Sequence, residues 1–232
     1  MKRISLFILT ILLIACSNEN KDLTVKTTIK GLKKGTVFLK RVEDTILVNV
    51  DSVTINGNSS FELHSDIDSP EMFYLYLDKN STEEDRIAFF ADKGITEINT
   101  TLKNFVFDAK INSSEQHKIY EEYQTMISKM NFRNLDLIKE QFEAQKNNDT
   151  TKLNAIKSEA DKFLKRKYLY TVNFALNHKD SEVAPYLAIS EIYNARVDLL
   201  DTINNSLTPK VKASKYGKEL DVFIKKIKES EK

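Results

Sequence analysis

The chain has 232 residues, of which 41% are hydrophobic and 30% charged, a composition typical of a globular protein and not of a disordered one. The formal charge is +1, from 35 basic and 34 acidic residues. Lys2 and Arg3 lie in a leader segment that we expect to be removed, and without them 33 basic residues stand against 34 acidic ones. Nucleic-acid binding generally requires a basic excess or a basic patch, so this balance argues against a nucleic-acid partner.

The first sixteen residues have the pattern of an exported protein. After a short basic start, the apolar run over 5–14 has signal-peptide length and is too short to cross about 30 Å of hydrocarbon. The run ends in Leu-Ile-Ala-Cys at 13–16, which resembles the lipobox of bacterial lipoproteins. That resemblance implies removal of residues 1–15, a diacylglyceryl thioether on Cys16, and an acyl chain such as palmitate on the new amino group. The alternative is an ordinary signal peptide or an uncleaved anchor, with an incidental cysteine.

Cys16 is the only cysteine of the chain, so the sequence contains no CxxC pair and allows no internal disulfide. We expect residues 16–22 to form a lipidated tether that holds the fold at a membrane of the cell envelope. No Asp follows Cys16, and the inner-membrane retention signal of some bacteria is therefore missing. This favours the outer membrane, on its periplasmic face or at the cell surface.

The segment 23–112 has strand-like patterns. Val25, Thr27 and Ile29 alternate with polar residues, which places them on one face of a strand. A change of phase around Asp51 and Ser52 predicts a bulge or a turn, and Asn-Gly-Asn at 56–58 predicts a hairpin. Short strands with frequent turns indicate a β-sandwich or an open barrel, of which we prefer an antiparallel β-sandwich-like domain.

Near Ser113 the apolar spacing becomes helical and stays so over 113–232. The spacing predicts one helix ending near Met130 and a second segment whose apolar residues are Leu135, Ile138 and Phe142. Asp149 or Thr150 then caps a third, longer helix, and further helices follow. The fold class predicted is α+β, with an N-terminal antiparallel β-sandwich-like domain followed by a C-terminal helical region.

In this layout the chain resembles lipoproteins of Bacteroidetes-type bacteria whose N-terminal module is the domain of unknown function DUF4369. The matching stretches are Gly-Thr-Val-Phe-Leu at 35–39, Val-Asp-Ser-Val at 50–53, Ser-Pro at 69–70 and Phe-Phe-Ala-Asp-Lys-Gly at 89–94. The helical half shares 181–192 and 207–217 with the same proteins. Many relatives continue into a thioredoxin-like domain of the AhpC-TSA type with a redox CxxC. Because this chain lacks those cysteines, the resemblance carries no redox activity over to it.

Candidate chemical groups in the sequence are few. His64, His117 and His178 lack metal-ligand spacing, although the first two could meet in space. Asp51-Ser52 and Asp180-Ser181 lack a nucleophile elbow and are better interpreted as turn and capping residues. Residues 83–85 (Glu-Glu-Asp) indicate a solvated hairpin tip. The basic cluster 162–167 indicates the solvated face of an amphipathic helix, and the alternative is a surface for anionic lipid or for a partner. We therefore expect no enzyme activity, no cofactor and no metal.

Tyr74 and Tyr76 share one face of their strand, opposite Phe73, Leu75 and Leu77. Exposed on an edge strand, they would form a binding surface; packed inward, they would be part of the core. The hypothesis that follows is a non-catalytic binding or assembly module of the cell envelope, anchored by its lipid and contacting an envelope protein. The alternative is an accessory that works in trans with a thioredoxin-like thiol-disulfide oxidoreductase.

Overall fold

The computed structural model describes residues 21–78 and 85–230. The N-terminal half contributes eight strands: β1 (Leu23–Lys30), β2 (Lys34–Glu43), β3 (Ile46–Asn56), β4 (Ser60–Ser65), β5 (Glu71–Leu77), β6 (Arg86–Ala91), β7 (Gly94–Thr101) and β8 (Lys110–Asn112). The C-terminal half contributes six helices: α1 (Glu115–Lys146), α2 (Thr150–Asn177), α3 (Val183–Glu191), α4 (Val197–Ser206), α5 (Pro209–Ala213) and α6 (Lys215–Ser230). The α+β prediction is confirmed.

The strands form two four-stranded sheets that enclose a common core. Sheet 1 has the order β4-β1-β7-β8 and sheet 2 the order β3-β2-β5-β6. All pairs are antiparallel except β1 with β7, which is parallel. Alternate residues such as Val25, Leu39 and Phe73 are fully buried between the sheets, because successive side chains of a strand point to opposite faces. This is the sandwich that the alternation predicted.

The predicted bulge and the predicted hairpin have different outcomes. Leu39 pairs with Asp51 but Lys40 pairs with Asn49, so Val50 is the extra residue of a β-bulge, as predicted near Asp51. The chain does turn at 56–58, where Gly57 has a φ of +98°, a value that favours glycine. It does not close a hairpin, because β3 belongs to sheet 2 and β4 to sheet 1. The turn carries the chain from one sheet to the other.

The helical half packs on the outer face of sheet 2. Met72, Tyr74, Tyr76 and Phe90 point away from the sandwich core and form one cluster with residues of α1, α2, α3 and α6. We call this cluster the interface core. It explains why β5 is buried along its length, since one face meets sheet 1 and the other meets the helices.

A second helical cluster closes the C-terminal end of the protein. It joins the end of α2 to α3, α4, α5 and α6 through buried residues such as Ala188, Ile203 and Leu220. At Gly217 the backbones of α5 and α6 approach so closely that an added Cβ would lie 2.1 Å from the carbonyl oxygen of Val211. Only glycine fits at this crossing.

Helix α1 is one unbroken helix of 32 residues, and not the two segments that the spacing predicted. The stretch between Met130 and Leu135 contains neither Gly nor Pro, so nothing in it breaks the helix. The apparent second segment arises because the exposed apolar residues beyond Met130 lie on a different face of α1 from the buried ones before it.

Candidate functional site

Tyr74 and Tyr76, the predicted binding surface, lie in the interface core and not on an exposed edge. Strand β5 is flanked by β2 and β6, and the two tyrosines are 9% and 4% exposed. Arg86 lies over the Tyr74 ring at 4.4 Å from its centroid and donates a 3.1 Å hydrogen bond to the Tyr76 hydroxyl. The binding-surface prediction is therefore wrong, and the alternative of core packing holds, because the helical half covers this face of sheet 2.

The tyrosines around this contact are packing groups. Tyr186 lies against Phe90 with ring centroids 5.6 Å apart, and the Tyr216 hydroxyl accepts a 2.9 Å hydrogen bond from the backbone N–H of Met72. Burial raises the pKa of Tyr74, Tyr186 and Tyr216 above 10. They stay uncharged at physiological pH, which suits an interior contact better than acid–base chemistry.

A polar cleft of about 340 Å³ opens where β2 and β5 meet the start of α6. Glu71, 4% exposed, accepts from Arg41 at 3.1 Å and forms a second ion pair with Lys215. Lys215 also donates to the Val42 carbonyl at 2.7 Å, so it ties α6 to two strands of sheet 2. Arg41 reaches outward to Glu43 at 2.8 Å. Sequence reasoning did not find this cluster, because its members lie far apart in the chain and share no motif.

The cleft has the chemistry of a charged joint between the halves. Its lining holds two cations and six carboxylates: Arg41, Lys215, Glu43, Asp44, Asp66, Asp68, Glu71 and Glu219. Burial raises the pKa of Glu219, and the charge of Lys215 opposes part of that rise. The one hydroxyl in the lining, Ser69 Oγ, accepts from the backbone N–H of Lys215 at 3.2 Å. No described group there is placed as a nucleophile with a neighbouring base.

The histidines do not meet. His64 is exposed on β4, where its Nδ1 lies 3.3 Å from the Thr24 hydroxyl. His117 is buried at the start of α1, and its Nδ1 accepts from the Phe90 N–H at 3.3 Å. His178 lies against the Phe174 ring, with centroids 4.4 Å apart. Among residues 21–78 and 85–230, no group of three His, Cys, Asp or Glu side chains is placed to hold a metal ion.

The two Asp-Ser pairs are structural. Asp51 accepts from the Ser52 N–H and the His64 N–H, both at 2.8 Å, and so joins β3 to β4. Ser181 donates to Gln116 Oε1 at 2.5 Å and accepts from the Val183 N–H at 3.1 Å. Ser181 thus bonds the first N–H of α3, but the N-cap residue is Glu182, which makes no side-chain cap bond. Asp51 and Ser52 lie within β3, so their interpretation as turn residues is wrong.

Helices α1 and α2 run antiparallel and extend beyond the interface core as a helical arm, defined here as residues 131–165. The line of contact between the two helices of the arm, which we call the seam, is narrow. The buried apolar residues of the arm are Leu137, Ala144, Ile156 and Phe163, and none of them belongs to any of the three hydrophobic clusters. Asp149 caps α2 through a 2.9 Å bond from the Lys152 N–H, as predicted. Each helix extends about 24 Å along the arm at 1.5 Å per residue.

The two sides of the arm differ in chemistry. Positions one residue before the seam carry Arg133, Glu140 and Glu159, and Arg133 pairs with both carboxylates at 3.3 and 2.7 Å. Right-handed helices in an antiparallel pair turn the positions one residue after the seam toward the opposite side. That side carries Leu135, Ile138 and Phe142 of α1, with Leu164 of α2 beside them, and Phe132 follows one turn earlier on the face of α1 that points away from α2. We call this exposed apolar row the arm stripe.

The arm stripe is the largest departure from an ordinary surface that the structure shows. Phe132 and Phe142 are 68% and 67% exposed, Leu135 is 60% exposed, and all lie on one helix. Singly scattered apolar residues are normal on a protein surface, but a contiguous row of large ones marks an interaction site. The sequence pattern contained this row as the face of a supposed second helix. It could not show that the row lies in solvent, because helical periodicity is the same for a buried and an exposed face.

The basic cluster at 162–167 lies on α2 of the arm and just beyond it. Phe163 is buried against α1, Lys165 and Arg166 are exposed, and Lys167 pairs with Glu191 at 3.0 Å. This is the amphipathic helix that the pattern predicted. Cys16 and the acidic residues Glu83 and Glu84 lie outside the described residues.

The fold and surface define a class: an α+β protein in which a two-sheet sandwich carries a helical half with an exposed apolar arm. Residues 23–120 match the family described as Domain of unknown function (DUF4369), the domain that the resemblance implied for this part of the chain. The match covers the sandwich and the first residues of α1. No curated protein matches the chain. In the part of the chain that the structure describes, no helix is both long enough and apolar enough to span a membrane.

Proposed function

We propose that this protein is a non-catalytic binding or assembly module of the bacterial cell envelope, anchored through a lipid on Cys16. The observation that carries the proposal is the arm stripe, because a contiguous row of large apolar side chains in solvent marks an interaction site. The first sixteen residues support the location, through their signal-peptide pattern and the lipobox-like residues at 13–16.

The arm is suited to recognition. Aromatic side chains give large contact areas, and Phe132 and Phe142 stand 10 positions apart on a continuous helix, at opposite ends of the stripe. The stripe occupies one side of the arm only, since ion pairs of Arg133 fill the other side. A partner would therefore approach from one direction.

The test is site-specific photocrosslinking in the native cell with the full chain. A photoreactive residue in place of Leu135 is expected to capture a defined protein, whereas the same residue in place of Leu169, 44% exposed on the opposite side of α2, is expected to capture none. Capture at neither position would contradict the proposal. Capture of a CxxC protein at 135 would support the accessory role beside a thioredoxin-like oxidoreductase.

The anchor is tested separately. Cells supplied with labelled palmitate are expected to label the wild-type chain and not a Cys16→Ala variant, and only the wild-type chain should stay in the membrane fraction after a salt wash. Equal labelling of both would show that Cys16 does not direct the lipid.

A further inference from the structure

We propose that the partner of the arm stripe is a second copy of this chain, so that two arms pair about a two-fold axis in an intermolecular four-helix bundle. The inference rests on the proposed function, since it names the occupant of the surface on which that function depends.

The arm by itself is thinly packed. Its only buried apolar residues among the described ones are Leu137 and Ala144 of α1 and Ile156 and Phe163 of α2. Between them on α1, Asn134 is polar and half-buried, and Gln141 is exposed. Helices in proteins are stabilised mainly by packing of an apolar face and only weakly by propensity. Here α1 has two apolar faces, one toward α2 and one in the stripe. A helix with two such faces is typical of a bundle of more than two helices.

The order of aromatic and aliphatic residues in the stripe is the same in both chain directions. Along α1 its order is aromatic, aliphatic, aliphatic, aromatic: Phe132, Leu135, Ile138 and Phe142. When a second α1 is laid antiparallel with its centre near residue 137, Phe132 faces Phe142 of the second copy and Leu135 faces Ile138 of the second copy. A self-complementary row of this kind is what a two-fold, isologous interface requires, and such an interface closes at two copies.

The flanking charges fit the same alignment. Asp136 and Lys139 are exposed on the flank of the stripe that faces away from α2. In the antiparallel arrangement, Asp136 of each copy lies within one helical turn of Lys139 of the other, because both stand close to the centre near residue 137. The two-fold axis repeats this opposite-charge pair. Complementary charges at the border of an apolar contact fix its register.

The area is in the range of a stable dimer. The exposed portions of the five stripe side chains offer on the order of 500 Å² per copy, and the flanking polar side chains bring the contact toward the roughly 800 Å² per partner of a standard interface. The stripe therefore supplies the apolar centre, with the charged flank as its rim.

The first measurement is the mass of the full-length chain by analytical ultracentrifugation in density-matched detergent. The wild-type chain is expected to be a dimer, and Leu135→Asp is expected to be a monomer with an unchanged circular dichroism spectrum, since Leu135 is 60% exposed. The matched control Leu169→Asp places the same charge on an exposed leucine outside the stripe and should remain dimeric.

A charge exchange tests the antiparallel register. Asp136→Lys and Lys139→Asp should each weaken the dimer at least tenfold, because each brings like charges together at the two-fold axis. The double variant Asp136→Lys/Lys139→Asp should regain most of the affinity. Failure of the double variant to recover would overturn the proposed register.

A wild-type chain that is monomeric at its highest soluble concentration overturns the inference. If that monomer still gives a stripe-dependent photocrosslink to a different protein, the proposed function stands and only the identity of the partner is wrong. If it gives none, both fail. Binding of the monomer to phospholipid vesicles that is lost in Leu135→Asp would also overturn the inference, by assigning the stripe to a lipid surface.

Discussion

Glu71 shows what single residues contribute to the joint between the two halves. Its carboxylate is almost fully buried between Arg41 of β2 and Lys215 of α6, so its removal leaves two cations without their shared partner. We expect Glu71→Ala to lower the free energy of unfolding by about 2–3 kcal/mol, since Arg41 and Lys215 keep some solvent contact. Urea denaturation at neutral pH measures the effect.

The matched control is Glu43→Ala. Glu43 pairs with the same Arg41 at 2.8 Å, but its side chain is 51% exposed. An exposed ion pair contributes less than about 1 kcal/mol, so this variant should be nearly as stable as the wild-type chain. Equal losses in the two variants would contradict the role assigned to burial.

His117 gives the fold a pH dependence. Burial lowers the pKa of its imidazole below the ordinary 6.5, and the charge of Glu121 opposes part of that shift. The unfolded chain therefore binds a proton that the folded chain excludes, and the free energy of unfolding falls as pH falls through 6.5. We expect the wild-type chain to lose more stability than His117→Gln between pH 7.5 and 5.5, as measured by urea denaturation.

Glu182 acts with the opposite sign. Burial raises the pKa of its carboxyl above 4.5, so the folded chain holds a proton that the unfolded chain releases, and its contribution is greatest at low pH. Because Glu182 is present in both proteins, its effect cancels in the comparison. The variant His64→Gln controls for loss of an imidazole as such, and an equal pH slope for wild type and His117→Gln would refute the assignment.

At the scale of the element, the two arm helices begin in different ways. The Asp149 side chain caps α2 at 2.9 Å, whereas Ser114 at the start of α1 makes no cap bond and its buried Oγ has no partner among the described residues. We expect Asp149→Ala to weaken the arm by about 1 kcal/mol, equivalent to roughly fivefold faster amide exchange in residues 140–160. Hydrogen–deuterium exchange with mass spectrometry measures this.

Ser114→Ala is the counterpart at the other N-terminus. Removing a buried hydroxyl without a partner abolishes no hydrogen bond, so exchange in the first turns of α1 should not accelerate. Faster exchange there would show that Ser114 caps α1 after all, and unchanged exchange in Asp149→Ala would show that the arm does not depend on its cap.

Across the whole molecule, the interface core makes the sandwich and the helical half one cooperative unit. Phe90 is fully buried at its centre, within 6.2 Å centroid distance of the Tyr120, Tyr186 and Tyr216 rings. We expect Phe90→Ala to lower the free energy of unfolding by about 3–5 kcal/mol. The loss should be equal when followed by far-UV circular dichroism, which reports mainly the helices, and by amide hydrogen exchange in the strands of the sandwich.

Phe107→Ala is the control for this prediction, because Phe107 is 93% exposed on the loop before β8. Removal of the Phe107 side chain should leave the midpoint of the unfolding transition unchanged. Two separate transitions in Phe90→Ala, one for each probe, would show that the halves unfold independently and that the interface core does not couple them.

Local patterns in the sequence determined much of the fold. Alternation in β1 fixed its buried face, the phase change near Asp51 located the bulge, and Asp149 marked the start of α2, because each depends on neighbouring residues alone. The DUF4369 domain was likewise recognisable from ordered stretches along the chain. The proposed location rests on the sequence alone, through the signal-peptide-like pattern that ends at Cys16.

Tertiary structure alone decided which faces are covered. Tyr74 and Tyr76 lie in β5, whose sequence pattern is the same whether its outer face contacts solvent or helices. Only the packing of the helical half on sheet 2 buries them. The cleft at Glu71 assembles residues from β2, β5 and α6, which no local pattern connects. The arm stripe is the converse case, since an apolar row typical of a core is left in solvent where α1 extends past the body. Burial depends on what packs against a face, and that is a property of the whole chain.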